Sequence, residues 1–537
     1  MDRLFKSNIV PYPQTGKFSK IVLDYVKQAD ELNPFYEHPV SLDGIKSAIS
    51  QRQNFPTNRL LLVEQLRLQY ENIPTSNLVN SNIDSLLEEN TFTICTAHQP
   101  NLFTGHLYFI YKIMHTIKLC ESLKEDLPRY KFVPVFFMGS EDADLQELNH
   151  VVIDGTRYEW KTNQTGAVGR MKIDQALIQL IDQIAGRLLA ENYGKELVTI
   201  LKNSYKAGST IEEATFKFVN ELFKEFGLIV FLSDKAAFKH EIRNIIEEDI
   251  FNHTSSKIVE ATSEKLAEDY KAQAYPREIN LFYLKDSIRN RIVSVEDGFI
   301  VHNTDISFTK ESIKEELKNF PERFSPNVIL RGLFQEYILP DVAWIGGGGE
   351  LAYCLQLKDL FGHYKVPYPV LILRNSFLII ENKYKLLLEK LDLDSMSLFQ
   401  GEMKLMNQLV EKETQLNLKL DAEKGQLKEI YYLIKNLVKK VDTTLIYHTS
   451  ALETKHLKNL SALEKKIFRA EKRKFEAQQN QLSKIFKNLF PEDGLQERTE
   501  NFMLFYARFG KEFLNILYAN SLALDQMFCV LEEEDSR

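Results

Sequence analysis

Four consecutive glycines, Gly346 to Gly349, separate an apolar run through Val342, Trp344 and Ile345 from a helical pattern of Glu350, Tyr353, Cys354, Leu357 and Phe361. That order reads as strand, glycine loop, helix. Glycine tolerates positive φ and lets a ligand approach the backbone closely. The helix start offers unpaired N–H groups suited to an anion. In an open α/β sheet, ligands gather at such carboxyl ends of strands. The loop is neither a Walker loop, since no Gly-Lys-Ser/Thr follows, nor a dinucleotide fingerprint in its spacing.

Two more stretches share this grammar. Phe92 to Thr96 reads as a short buried strand, followed by a loop holding His98, Gln99, Asn101, Thr104, Gly105 and His106, then a helix over about 107–123 that carries Lys112. Phe132 to Met138 is a second strand, and Glu141, Asp142, Asp144, Asn149 and His150 follow it. Strands around 226–234 and 366–373 complete the set, the last ending at Arg374. Strands alternating with helices predict a parallel, doubly wound sheet of the α/β class. Residues 152–215 and 240–325 read as insertions in a core spanning 1–380, and 1–90 reads as helical. The three loops are expected to line one cleft at the carboxyl edge of the sheet.

The residue types in these loops suggest chemistry, and each has a structural alternative. His98 and His106 near a helix start could contact phosphate or polarise a carbonyl, or simply cap the helix. Glu141, Asp142 and Asp144 could hold an ammonium group, hold Mg²⁺ or act as a base; capping needs only one of them. Glu350 at a helix start is favoured electrostatically whatever its function. Lys112, Arg331 and Arg374 could receive carboxylates, and an ion pair with a protein carboxylate is the equal alternative for the arginines.

From about Leu386 to Phe490 the chain has no proline, and glycine occurs only at 401 and 425. Leu427, Tyr431, Ile434, Val438, Val441, Leu445, His448 and Leu452 follow a 4,3 spacing, and Leu460, Leu463, Ile467 and Ala470 resume it one residue out of phase. This predicts an α-helical coiled coil over 381–490, folded as an antiparallel hairpin that breaks at Gly425 or at Asp442-Thr443-Thr444. A C-terminal helical segment over 491–537 is expected to pack on the core.

Composition sets the outer limits. A net charge of −8 argues against broad nucleic-acid binding. Cys95, Cys120, Cys354 and Cys529 are too dispersed for a disulfide framework or a zinc site and read as buried thiols. With no signal-peptide core at the start and no apolar run of membrane length, a soluble cytoplasmic protein without a membrane partner is expected.

Thr96 to Gly105, Ser140 to Asp144 with Asn149-His150, Gly346 to Glu350 with Ala352-Tyr353, and Leu489 to Arg498 together resemble the bacillithiol biosynthesis cysteine-adding enzymes. The resemblance covers most of the chain in the same order. Family members often carry His where Ala143 stands and Gln where His98 stands. The resemblance implies a Rossmann-like core with inserted connecting segments and a coiled-coil arm that forms a homodimer. It implies joining of the cysteine carboxyl group to the amine of glucosaminyl malate, with ATP as the expected cofactor and Mg²⁺ as its optional companion. An activated cysteine would then be an adenylate or an acyl phosphate.

On residue type, the acid/base and catalytic candidates are His98, Glu141, Asp142, Asp144 and His150. The binding candidates are Gln99, Asn101, Thr104, Gly105, His106, Lys112, Asn149, Arg331, Gly346, Gly347, Gly348, Gly349, Glu350, Tyr353 and Arg374. No metal site is expected of the protein itself. The alternatives are a coiled-coil scaffold that binds a nucleotide or metabolite, and an ATP-dependent ligase or nucleotidyl transferase acting on another amine.

Overall fold

A computed structural model describes residues 4–534. The chain forms two compact units, one of Phe5–Leu378 with Gly494–Leu531 and one centred on Ile379–Asp493. The first unit therefore closes with a segment that follows the second in sequence.

Its strands, in chain order, begin with β1 (Phe5–Val10), β2 (Thr91–His98), β3 (Lys131–Met138), β4 (His150–Ile153), β5 (Thr156–Glu159) and β6 (Ile229–Leu232). Then come β7 (Leu281–Lys285), β8 (Ile288–Val295), β9 (Gly298–Val301), β10 (Ser307–Phe308) and β11 (Phe324–Pro326). Last are β12 (Asp341–Gly346), β13 (Val370–Leu373), β14 (Ser376–Ile380) and β15 (Phe528–Glu533).

The central sheet has the order β13-β12-β2-β3-β6, with every pairing parallel. Its strands are buried almost end to end, as near-continuous runs of Val, Ile, Leu and Phe require when both faces are covered. From β2 the chain moves outward through β3 and β6, then returns to the other side for β12 and β13. The order reverses between β2 and β12, and such a switch point opens a crevice at the carboxyl ends. The helix Leu107–Asp126 contributes Leu119, Cys120 and Leu123 to the core, and Leu42–Gln53 contributes Ile45, Ala48 and Ile49.

The sequence reading departs from the structure in several places. Residues 1–90 open with a strand, β1, which pairs with β15 in the order β1-β15-β14. The C-terminal segment is accordingly not wholly helical; after the helices Met503–Phe509 and Lys511–Ala519 it ends in β15. Within the helix Arg59–Tyr70, Leu62, Val63, Leu66 and Tyr70 are buried while Leu60 and Leu68 face solvent.

The two inserted regions differ from each other. The first holds the β4-β5 hairpin and the helices Gln175–Leu188, Gly194–Ser204 and Ile211–Phe223. The second holds a separate five-stranded sheet, order β10-β9-β8-β7-β11, with every pairing antiparallel. Three of the four thiols are buried, Cys354 is half-buried, and all are free.

In the second unit, the helices Asp421–Val441 and Leu445–Lys472 run antiparallel. Lys424 pairs with Glu464 at 2.6 Å, Tyr431 with His456 at 2.7 Å and Lys435 with Glu453 at 2.5 Å, partners converging toward the turn. The turn is Asp442-Thr443-Thr444, where Asp442 accepts from the Thr444 N–H at 2.8 Å. Gly425 lies inside the first helix. A second interruption, between Glu413 and Asp421, carries neither proline nor glycine and is absent from the sequence reading; Thr414 and Asn417 accept there from the Leu416 and Lys419 N–H groups. Most of the heptad positions stay open: Ile434 is 39% exposed and Val441 75%, with Leu437 beside them at 63%.

Candidate active site

A cavity of about 610 Å³ lies at the carboxyl ends of the parallel strands, lined from each of the three loops. The first supplies His98, Gln99, His106 and, from its helix, Tyr108 and Lys112. The second supplies Glu141, Asp142 and Glu147, and the glycine loop supplies Gly347 to Glu350 with Tyr353. Arg331 and Arg374 complete this set.

The first loop turns sharply because Phe103 (φ 53°) and Thr104 (φ 71°) adopt the left-handed conformation, followed by Gly105 at φ 65°. Left-handed non-glycine residues cost about 1–3 kcal/mol each and persist only where surroundings enforce them. Asn501 does so here, its side-chain N–H₂ donating to the Phe103 carbonyl at 3.0 Å and to that of Gly105. Asn101, Thr104 and Gly105 are consequently buried in the turn and do not line the cavity. At the helix start, Leu107 N–H donates to the Glu500 carbonyl at 2.7 Å and His106 Nδ1 lies 3.0 Å from that of Thr499. The C-terminal segment thus takes up a donor that the sequence reading reserved for an anion.

His98 meets Tyr108 and Phe109 edge-on, at ring separations of 5.4 and 5.5 Å. Its Nε2 is buried without a hydrogen-bond partner. Burial first, then the positive charge of Lys112 and the neighbouring His106, holds its pKa well below the usual histidine value. The imidazole is therefore neutral at physiological pH.

The acidic loop is braced from the first insertion. Val168 N–H donates to the Asp142 carbonyl at 2.7 Å and Gly169 N–H to that of Ser140 at 2.9 Å. A Cβ at Gly169 would fall 2.4 Å from the Ser140 carbonyl oxygen, so this approach requires glycine. Asp142 Oδ2 accepts from Gln99 Nε2 at 3.1 Å and Oδ1 from the Asp144 N–H at 3.1 Å. Glu141 forms a buried ion pair with Lys239 at 2.6 Å. The Glu147 carboxyl is pushed up by burial and by Asp142 and Asp144.

Three residues of this motif leave the cavity. Asp144 caps the short helix Leu145–Leu148, accepting from the Glu147 N–H at 3.2 Å. Asn149 is buried and donates to the Trp160 carbonyl at 3.3 Å. His150 starts β4 opposite Glu159 and is carried away along that strand.

None of the four glycines in the anchor loop uses positive φ. Their smallness serves close packing instead: a Cβ at Gly346 would lie 2.2 Å from the Trp344 ring, and one at Gly348 would lie 2.9 Å from Val22. Gly346 does not line the cavity; its carbonyl accepts from Arg374 N–H at 2.8 Å. Glu350 Oε2 accepts from Gly347 N–H at 2.8 Å and pairs with Lys112. The anion place at this helix start is filled by the protein's own carboxylate.

The cations fall into two groups. Lys112 donates to the Ala97 carbonyl at 3.0 Å and is matched by Glu350; burial lowers its pKa and Glu350 opposes that shift. Arg374 is matched by the buried Glu497 at 2.7 Å, while its Nε is buried with no partner. Arg331, by contrast, donates to the Tyr353 hydroxyl at 2.7 Å and pairs with no carboxylate among the described residues.

Tyr108, Arg289 and Arg498 also line the cavity, and sequence reasoning passed over them. The Tyr108 ring lies 5.1 Å from the Arg374 guanidinium, and burial raises its hydroxyl to about 12. Arg289 reaches in from β8, with Nε donating to Ser325 Oγ at 3.2 Å and its guanidinium 4.1 Å from the centre of the Phe282 ring. Arg498 comes from the turn Gln496–Arg498, inside a stretch the sequence had already singled out. Nothing in the sequence around Arg289 marks it. Among the described residues, no group of three or more His, Cys, Asp or Glu side chains is placed to hold a metal ion.

Two family models match the chain. "Bacillithiol biosynthesis BshC, N-terminal Rossmann-like domain" covers residues 5–375, and the C-terminal coiled-coil domain of the same family covers residues 377–533. A relative from Christiangramia forsetii is 38% identical over 98% of this chain and 99% of its own length. One from Flavobacterium johnsoniae is 37% identical over 98% of this chain and 99% of its own length, and one from Salinibacter ruber is 29% identical over 94% of this chain and 95% of its own. All three are named "Putative cysteine ligase BshC".

Proposed function

The chain belongs to the bacillithiol biosynthesis BshC family, and from that premise we propose that it joins the carboxyl group of L-cysteine to the amine of glucosaminyl malate, forming the amide bond of bacillithiol. The observation that carries this reading is the lining of the cavity at the switch point. A carboxylate able to receive an amine, Asp142, shares it with two guanidiniums that form no ion pair among the described residues, Arg331 and Arg289.

Amide formation needs a neutral amine. Asp142 has each oxygen fixed by one hydrogen bond and lone pairs remaining, so it can orient the ammonium group and take its proton. His98 holds a proton poorly, because burial and nearby cations disfavour its charged form. It acts instead as a neutral hydrogen-bonding group toward an oxygen of the reacting carboxyl. Arg331 is the receptor for the cysteine carboxylate or for charge that develops on it.

ATP, accompanied by Mg²⁺, is the proposed source of activation. The cavity fits an anionic phosphoryl group by its own inventory: Arg374 Nε and His98 Nε2 are buried polar atoms without partners, and Arg331 has a single one. Those three residues would hold it, and when bound it supplies the free energy for activating a carboxylate.

The open apolar face of the helical hairpin supports a homodimer formed through it. Replacing residues 402–489 by a short linker is expected to convert dimer to monomer in sedimentation; an unchanged dimer would move the interface elsewhere. No helix among the described residues is long and apolar enough to cross a membrane, and the cytoplasm is the proposed place of work. The reaction itself is tested by metabolite profiling of a deletion strain. Loss of bacillithiol with accumulation of glucosaminyl malate supports it, and an unchanged thiol pool sinks it.

A further inference from the structure

The main cavity opens at Arg289 into a second one of about 550 Å³, and the two share Asp142, Arg289, Asn327 and Val328. The second cavity adds Arg277 and Arg291. In the antiparallel ladder, Leu284 stands opposite Arg289 and Phe282 opposite Arg291. Alternate residues of a strand share a face, so both arginines project from the same side of the sheet. On the far side of Phe282 stands Ser325, which accepts from Arg289.

The loop carrying Arg277 is anchored as well. Its N–H donates to Asn280 Oδ1 at 3.0 Å, and the buried Asn280 donates in turn to Asp249 at 2.6 Å. Of the nearby carboxylates, Glu141 is paired with Lys239, while Asp142 accepts from Gln99 and the Asp144 N–H and keeps lone pairs for a ligand. Among the described residues, Arg277, Arg289 and Arg291 form no ion pair. Three guanidiniums on one concavity, none in an ion pair among the described residues and Arg289 alone feeling the charges of Asp142 and Glu141, form a receptor for an anion with more than one charge.

We propose that this annex receives the two carboxylates of the malyl group, so that the acceptor's amine is presented to Asp142. The proposal rests on the reaction proposed above. Of the three cations that the sequence offered for carboxylates, Lys112 and Arg374 are committed to Glu350 and Glu497, and Arg331 alone stays without an ion pair among the described residues. A guanidinium fork matches a carboxylate in bidentate fashion, and the annex offers three forks for two carboxylates. Because Asp142 borders both cavities, an acceptor seated with its acidic end in the annex has Asp142 along its path into the main one.

Calorimetric titration of the full-length protein with glucosaminyl malate, glucosamine and ATP tests this without requiring turnover. Wild type is expected to bind glucosaminyl malate at least about tenfold more tightly than glucosamine, roughly one charge-assisted hydrogen bond's worth. The double variant Arg277→Gln/Arg291→Gln is expected to lose most of that margin while binding ATP as wild type does. Both side chains are exposed, so the fold should persist; the two single variants serve if the pair weakens it. Unchanged affinity for glucosaminyl malate in the variants overturns the annex alone. Weakened ATP binding with intact acceptor binding makes the annex a phosphate site and overturns it too. Failure of wild type to bind glucosaminyl malate overturns the proposed reaction, and the annex with it.

Discussion

On the sheet side of the cavity, Lys112 is matched by Glu350 and Arg374 by Glu497. On the side built by the antiparallel sheet and the helix Val328–Ile338, Arg289 meets a serine hydroxyl and a phenyl ring, and Arg331 a tyrosine hydroxyl. The first wall uses its charges to hold itself together. The second leaves its arginines without an ion pair among the described residues, and on the proposed reading it is this wall that receives the charged ends of the substrates.

The strongest test acts where the walls meet. Asp142→Asn is expected to lower turnover ~10²–10⁴-fold, the range for a positioned acid/base group, while shifting stability by no more than about 0.5 kcal/mol. Normal turnover in a cysteine plus glucosaminyl malate assay would remove Asp142 from the chemistry. On the closed wall, Glu497→Gln leaves the buried Arg374 charge uncompensated and should cost about 3–5 kcal/mol in denaturant unfolding. A stability close to wild type would show that this pair is not structural. On the open wall, Arg331→Gln should weaken ligand binding roughly tenfold to a hundredfold, as loss of a charged hydrogen bond does, with a stability cost under about 1.5 kcal/mol. A large loss of stability with unchanged binding would reverse the assignment of the two walls.

The smallest effect concerns pH. Burial and the charge of Asp234 raise the Glu212 carboxyl from 4.5 to about 7, with Ser140 Oγ donating to it at 2.5 Å. Folded protein keeps this proton at pH values where the unfolded chain has released it. Stability contributed by the group is therefore lost as pH climbs from 4.5 to about 7. Glu212→Gln is expected to flatten that part of the melting-temperature profile; an identical slope in the variant would rule the group out.

The three loops were legible because each is a local event. A buried apolar run followed at once by polar and glycine residues needs no knowledge of distant chain. The reading failed where position depends on where the chain goes next. Asp144, Asn149 and His150 belong to the same polar stretch as Asp142, yet Asp144 caps the next helix, Asn149 turns to the Trp160 carbonyl and His150 leaves along β4. Arg289 and Arg498 reach the cavity from a separate sheet and from the end of the chain, and no local period encodes that. Asp442-Thr443-Thr444 announced its turn through a side chain that accepts from the N–H two residues on; Thr414 and Asn417 do the same in the break after Glu413, but among apolar leucines that read as a continuing helix.

Asn501, Glu500 and Thr499 fasten the first loop and the start of its helix, and Glu497 fastens Arg374. All four belong to a segment that follows the 115 residues of Ile379–Asp493. On the ribosome, the parallel sheet is synthesised long before the residues that complete its edge. At ~5–20 residues per second, the wait is roughly 6–23 s. During that interval the nascent chain holds a folding sheet with an unfastened His98 loop, so translation itself sets the earliest moment at which this enzyme can work.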